Sequence, residues 1–240
     1  MVNTAVIMAA GLGSRFGQYT ERIPKGFIPC GELSMIERSI RTLIDCGINR
    51  IIIGTGYHKE TFEALAERYP QIECVFSPHY AETNSMYTLY NCREAVGDDD
   101  ILLLESDLVY EGRAISSLLN HDEPTIMLIT PVTKFQDQYY VAYDKTGQLA
   151  MCSTDRTQLD AKGELVGIHK FSNAFYRSMC KDYETKVEES PKLGYEYEIL
   201  SMAQSGSRVY VHNEAGLYWY EIDDPDDLAY AEEHILPHLR

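Results

Sequence analysis

Short apolar runs alternate with amphipathic stretches through the first half of this chain. Ala5-Val6-Ile7-Met8, Arg50-Ile51-Ile52-Ile53-Gly54, Ile72 to Phe76 and Ile101-Leu102-Leu103-Leu104 read as strands. The β-branched 50–54 run has the character of a parallel strand buried on both faces. Between these runs, apolar positions recur at helical spacing. Ser34-Met35-Ile36-Glu37 reads as a capping box that opens a helix ending at Gly47. His58 to Tyr69 carries Phe62 and Leu65 at helical spacing and stops at Pro70, and Asn84 to Val96 is a third helix. This rhythm predicts an α/β fold with a Rossmann-like, doubly wound, mainly parallel sheet, whose ligands bind at the carboxyl ends of the strands.

The second half has a different pattern. Thr125 to Pro131 is strand-like, Gln138 to Met151 alternates around Gly147 as a hairpin would, and Val166 to Phe171 is another strand, with a helix from about Ser172. Tyr195 to Ala203 reads as a helix, Arg208 to His212 and Leu217 to Ile222 as strands, and Asp226 to Ile235 as a closing helix. Such mixed strands predict a small C-terminal sheet extension or lid, so that 1–240 forms one domain whose halves meet near residue 125.

The strand at 5–8 runs into Ala9-Ala10-Gly11-Leu12-Gly13-Ser14-Arg15-Phe16-Gly17, with Pro24-Lys25-Gly26 close behind. A glycine-rich turn leaving a strand points backbone N–H groups at a phosphate, and Arg15 and Lys25 add positive charge there. The spacing is not G-x-G-x-x-G, because the third glycine falls one position late and no helix follows until Ser34. Nor is it a Walker A loop, since no lysine follows Gly17. A phosphate grip of a third kind, or a plain glycine turn, remains.

Composition narrows the partners. The chain has 37 Asp and Glu against 21 Lys and Arg, a formal charge of -16, which argues against nucleic acid and leaves room for a small anion held locally. No apolar run is long enough to span a membrane. Six scattered cysteines without a C-x-x-C pair read as reduced thiols in a cytoplasmic protein. A polyphosphate site that performs chemistry usually needs Mg²⁺ on one or two carboxylates. Asp107, delivered by the 101–104 strand, is one candidate, unless it caps the following turn. Asp223, in Glu221-Ile222-Asp223-Asp224, is the other, because no helix cap requires it there. Asp226 and Asp227 are explained by the helix they begin.

Taken together, these residues resemble the sugar-nucleotide pyrophosphorylases and related nucleotidyltransferases, which have a GT-A-like fold. The resemblance rests on the glycine loop with Arg15, on Pro24-Lys25, and on Asp107 and Asp223 as counterparts of the family's metal aspartates. Glu82-Thr83-Asn84-Ser85-Met86-Tyr87, Glu105-Ser106-Asp107 and Tyr195-Glu196-Tyr197-Glu198 make the chain similar to short cytidylyltransferases acting on phosphocholine or 2-aminoethylphosphonate. The resemblance implies transfer of CMP from CTP to such an acceptor with release of pyrophosphate. It implies Arg15 and Lys25 as catalytic cations, and Mg²⁺ on Asp107 and Asp223. For the nucleotide it implies Ala10, Gly11, Gly13, Ser14, Gly56, Asn84, Ser85 and Ser106, within a nucleotide half at about 1–125 and an acceptor half at about 126–240. Asn84 serves equally well as a helix N-cap.

For the acceptor, the candidates are Lys134, Tyr197, Glu198 and Trp219, with Arg156 and His169 as further basic groups; Tyr197 and Trp219 serve equally well as core, and Lys134, Arg156 and His169 as plain surface. Aromatic faces beside carboxylates suit a cationic amine, and the acidic enrichment points to aminoethylphosphonate over phosphocholine. A sugar-1-phosphate nucleotidyltransferase and a catalytically idle nucleotide-binding module are the rival readings.

Overall fold

A computed structural model describes residues 2–134 and 138–239. β1 (Thr4–Ala9) is buried along its whole length. The glycine loop and two 3-10 turns, Ser14–Tyr19 and Lys25–Phe27, follow it. A small hairpin, β2 (Pro29–Cys30) and β3 (Leu33–Ser34), then leads into α1 (Met35–Asp45). Ser34 caps α1 by accepting from the Glu37 N–H at 3.3 Å, as the capping box predicts. Next come β4 (Arg50–Thr55), α2 (Lys59–Ala66), β5 (Ile72–Phe76), α3 (Ser85–Asn91), α4 (Arg93–Val96) and β6 (Ile101–Glu105). The helix expected over 58–69 therefore ends earlier, and the one expected over 84–96 breaks at Cys92.

β7 (Leu108–Tyr110) and α5 (Arg113–Leu119) are additions to the predicted elements. The second half continues with β8 (Ile126–Thr130), β9 (Tyr140–Tyr143), β10 (Leu149–Ser153), β11 (Gly163–Phe171), α6 (Asn173–Glu184), α7 (Tyr195–Gln204), β12 (Tyr210–Asn213), β13 (Trp219–Glu221) and α8 (Pro225–His234).

Among the described residues, nine strands form one mixed, mainly parallel-centred sheet in the order β10-β9-β11-β6-β1-β4-β5, with β8 paired to β11 and β12 to β8. β6, β1, β4 and β5 run parallel, and β11 joins antiparallel beside β6. The second half thus extends the sheet instead of lying over it as a lid. Alternate residues serve opposite faces. Val6, Met8, Ile52 and Leu103 pack with α3, α6 and α7, whereas Ala5, Ile7, Ile51, Ile53, Leu102 and Leu104 pack with α1, α2 and α5. Burial on both faces is why the central strands read as continuous apolar runs. A third cluster, with Phe16, Ile28, Met35, Val109, Ile222 and Ala231, fastens the glycine loop and α8 to the strand ends. Among the described residues no helix is long and apolar enough to cross a membrane.

Candidate active site

The carboxyl ends of β1 and β6 open into a cleft of about 420 Å³, a size suited to small-molecule sites. The glycine loop forms one lip, where Ala10, Gly11, Gly13, Ser14 and Arg15 line the cleft. Gly13 has φ 63, and a Cβ there would stand 2.9 Å from the Lys25 Cβ. Only glycine lets the loop lie against the lysine stem in that conformation. Thr20 ties the loop down by donating from its hydroxyl to the Gly13 carbonyl at 3.0 Å.

Two aspartates distant in sequence meet here through a backbone ladder. β13 pairs antiparallel with β7, Glu221 opposite Leu108, and the Ile222 N–H donates to the Asp107 carbonyl at 3.0 Å. Asp107 and Asp223 are thereby carried to the same point, where the Lys25 ammonium lies 2.6 Å from Asp107 Oδ2 and 2.6 Å from Asp223 Oδ1. Arg15 takes the other Asp223 oxygen at 3.0 Å. Burial pulls the Lys25 pKa down, but attraction to Asp107 and Asp223 outweighs it and the net shift is upward. Lys25 is a fixed cation. Asp224, in contrast, caps α8 by accepting from the Asp226 and Asp227 N–H groups, each at 2.9 Å.

Beyond the ion pair the cleft wall is acidic. Glu105, Asp107, Glu196, Glu221 and Asp223 line it against two cations, Arg15 and Lys25. Burial, then the charges of Asp107 and Glu196, push Glu105 up to about 8. Burial pushes Glu196 up to about 7. Glu221 is raised well above the carboxylate range by burial and by Glu105, Asp107 and Asp223. A wall of this kind gains from an incoming cation. The Mg²⁺ expected on Asp107 and Asp223 meets a suitable donor set. Both carboxylates converge on one point, and single oxygens of Glu105, Asp107 and Glu221 lie within 4.8 Å of one another. Carboxylate oxygens are hard donors of the type that Mg²⁺ takes.

For the nucleotide candidates, Asn84, Ser85 and Ser106 line the cleft. Asn84 also caps α3, its Oδ1 accepting from the Ser85 N–H at 2.8 Å while its Nδ2 donates to the Lys192 carbonyl at 3.2 Å. Gly56 lies behind the lining, so close under Ala10 that a Cβ would sit 2.6 Å from the Ala10 carbonyl and 2.6 Å from the Tyr80 ring. Tyr80, Thr88 and Tyr139, which carry no local sequence signal, also line the cleft, together with Thr83 of the 82–87 stretch.

The acceptor candidates are placed differently. Trp219 turns into the core, donates from Nε1 to Thr130 Oγ1 at 3.0 Å, and does not line the cleft. Lys134 folds onto the 220s, its Nζ 2.9 Å from Asp227 Oδ1 and 2.8 Å from the Glu221 carbonyl, and it does not line the cleft. Tyr197 is exposed and does not line the cleft, and it packs on the cleft-lining Tyr139 with ring centroids 5.5 Å apart. His169 is fully buried, not surface, and Arg156 lies on an exposed 3-10 turn over the Tyr140 ring.

Glu198 likewise lies away from the cleft lining. It points toward α6, where Lys186 reaches its Oε2 at 3.1 Å and also pairs with Asp182. The carboxylate that α7 gives to the cleft is Glu196, two residues earlier. Burial, then the neighbouring Asp182, push Glu198 from 4.5 up to about 7. A carboxyl whose folded pKa is raised favours folding in its neutral form. Its ionisation therefore subtracts stability as pH rises from 4.5 to about 7. Glu198→Gln is expected to flatten the melting temperature against pH over that window. Acceptor kcat/KM should stay within about twofold. A large rise in acceptor KM in steady-state assays would return Glu198 to the site.

The model of the MobA-like NTP transferase domain matches residues 5–167. The CMP-5'-(3-aminopropyl)phosphonate synthase of Streptomyces rubellomurinus is 27% identical over 244 residues, covering 97% of this chain and 39% of that protein. The 2-aminoethylphosphonate cytidylyltransferase of Lancefieldella rimae is 38% identical over 111 residues, 46% of this chain and 45% of that protein. The choline-phosphate cytidylyltransferase of Streptococcus pneumoniae is 40% identical over 98 residues, 41% of this chain and 42% of that protein. The matched stretches thus span less than half the length of each of these relatives. Among solved structures, the CTP:phosphocholine cytidylyltransferase from Streptococcus pneumoniae has a TM-score of 0.80 at 24% identity, covering 97% of this chain and 99% of that one. The inositol-1-phosphate CTP transferase from T. maritima has a TM-score of 0.82 at 15% identity, covering 100% of this chain and 98% of that one. These likenesses show a shared Rossmann-like fold. With more than half its length matched, the chain belongs to the family of MobA-like NTP transferase domains.

Proposed function

We propose that this chain is a cytidylyltransferase that transfers CMP from CTP to 2-aminoethylphosphonate, releasing pyrophosphate. The observation that carries this reading is the Lys25 ammonium held between Asp107 and Asp223 beneath the glycine loop. A phosphonate oxygen, already anionic at neutral pH, attacks the α-phosphorus of CTP, a P–O bond forms, and the bond to pyrophosphate breaks. No general base is required, so catalysis reduces to positioning and charge neutralisation. The loop N–H groups and Arg15 receive the outer phosphates. Lys25 stands where donor and acceptor charges meet and offsets their repulsion. Asp107 and Asp223 would hold the Mg²⁺, whose chemistry is to neutralise phosphate charge and fix the reacting groups.

The acceptor assignment follows from the acidic wall. Glu105, Glu196 and Glu221 offer oxygen acceptors to a primary ammonium, and the matched relatives include proteins named for aminoalkylphosphonates. Phosphocholine is a second reading, favoured by the Tyr139 ring that lines the cleft and packs on Tyr197. The test is pyrophosphate release with each of ATP, GTP, CTP, UTP and dTTP against aminoethylphosphonate, phosphocholine and several sugar phosphates, with Mg²⁺. Turnover with CTP and aminoethylphosphonate is expected to be fastest. Turnover only with a sugar phosphate overturns the proposal.

A further inference from the structure

A buried chain of three side chains ends on the cleft wall beside the ion-pair centre. Glu105 closes β6, and its Oε1 accepts a hydrogen bond of 2.7 Å from the hydroxyl of Tyr195, the first residue of α7. That hydroxyl has one proton and directs it at the carboxylate. Its oxygen is left to accept from His169 Nε2, 3.1 Å away. His169 lies in β11, fully buried and stacked on Phe171, with ring centroids 5.7 Å apart. Its Nδ1 has no hydrogen-bond partner among the described residues, so Nε2 is the nitrogen that the fold employs. Burial pushes its pKa down to about 3, and the ring acts as a neutral donor.

Room for the same carboxylate is made from the other side. Gly167 has φ 76, and a Cβ there would stand 2.9 Å from Glu105 Oε2. The pairing of β11 with β8 shifts register between Leu165 and His169, so the strand is irregular where Glu105 needs space. Tyr195 is itself anchored, its backbone N–H donating to Ser85 Oγ at 3.0 Å on the nucleotide side of the cleft. A fully buried histidine stacked on Phe171, with one nitrogen unpartnered among the described residues, costs stability that an apolar residue would not. The neighbouring Glu196 has a buried oxygen with no partner among the described residues, whereas Glu105 has its Oε1 held by Tyr195 and its Oε2 lodged in the space that Gly167 leaves.

We infer that Glu105 is the carboxylate that takes the acceptor's ammonium, and that Tyr195 and His169 are positioning residues that fix its orientation. This rests on the aminoalkylphosphonate reading above. The test compares aminoethylphosphonate with ethylphosphonate, which has the same anion and no amine, in the wild type, Glu105→Gln, Tyr195→Phe and His169→Phe. The preference for the amine, as a ratio of kcat/KM values, is expected to fall about tenfold in Glu105→Gln and Tyr195→Phe, and by a smaller factor in His169→Phe. The acceptor KM should rise more than the CTP KM. Tyr195→Phe added to Glu105→Gln should cost little more, because the two act as a unit. Equal losses on both acceptors, or parallel changes in the CTP KM, overturn the inference. If Tyr195→Phe fails to fold, the ratio in Glu105→Gln decides. A wild type that does not use aminoethylphosphonate with CTP removes the underlying reading. A wild type that does, with the ratio unchanged in Glu105→Gln, removes this inference alone.

Discussion

Lys25→Met is expected to lower kcat by about a thousandfold in a pyrophosphate-release assay, the order seen when a fixed group that stabilises transition-state charge is removed. The cause is local. Among the described residues the ammonium is the one cation placed within 2.6 Å of both aspartates, while Arg15 reaches only Asp223 and is more than half exposed. The same substitution should lower folding stability by about 3 kcal/mol, since it leaves buried carboxylates without their partner. Urea titration of the ligand-free protein measures that loss. Lys25→Arg keeps the charge but not a point donor that fits between Asp107 and Asp223, so it should recover stability better than turnover. A methionine variant with kcat within tenfold of wild type would exclude Lys25 from the reaction.

Asp107→Asn separates chemistry from folding in the opposite sense. The amide keeps the shape of the side chain and removes one charge from the acidic wall. Turnover should fall about a hundredfold or more, because a group holding transition-state charge in place is lost. CTP binding, measured by calorimetry, should weaken far less, since the glycine loop and Arg15 are untouched. The melting temperature should stay level or rise. Asp107 is among the charges that raise Glu105 and Glu221, and its removal relieves that repulsion, while Lys25 keeps Asp223. Unchanged activity would take Asp107 out of the metal site. A sharp fall in stability would show that the carboxylate serves folding instead.

The parts of this site that could be read from the sequence are those set by short-range pattern. The run Ile101–Leu104 is buried on both faces, so it had to be a central strand, and the residues beyond it had to reach the ligand end. The delayed helix at Ser34 marked the glycine loop as a grip of its own kind. Asp223 was legible because no cap needed it, and Asp224 does supply the cap of α8.

The acceptor side was not legible, since it depends on phase and on long-range packing. On a helix, Glu196 and Glu198 lie on nearly opposite sides, and which one meets the cleft is set by how α7 packs against α6 and the sheet. Strand alternation put Trp219 with Glu221. The side of β13 that receives Trp219 is filled by Thr130 and its neighbours, so the indole becomes core while Glu221 reaches the cleft. Lys134 is taken up by Asp227 and the Tyr220 ring, contacts that span more than eighty residues of chain. β7 escaped notice because three residues just beyond Ser106-Asp107 are too few to show a pattern of their own, yet its ladder with β13 is what joins Asp107 to Asp223.

Phosphorus-31 NMR of the purified chain with CTP, 2-aminoethylphosphonate and Mg²⁺ tests the central claim most directly, since it reports which bond forms. The account predicts coupled resonances of a phosphonate–phosphate anhydride, CMP joined to aminoethylphosphonate, growing in step with pyrophosphate. Signals of CDP with a phosphorylated acceptor, or an unchanged mixture, would contradict it.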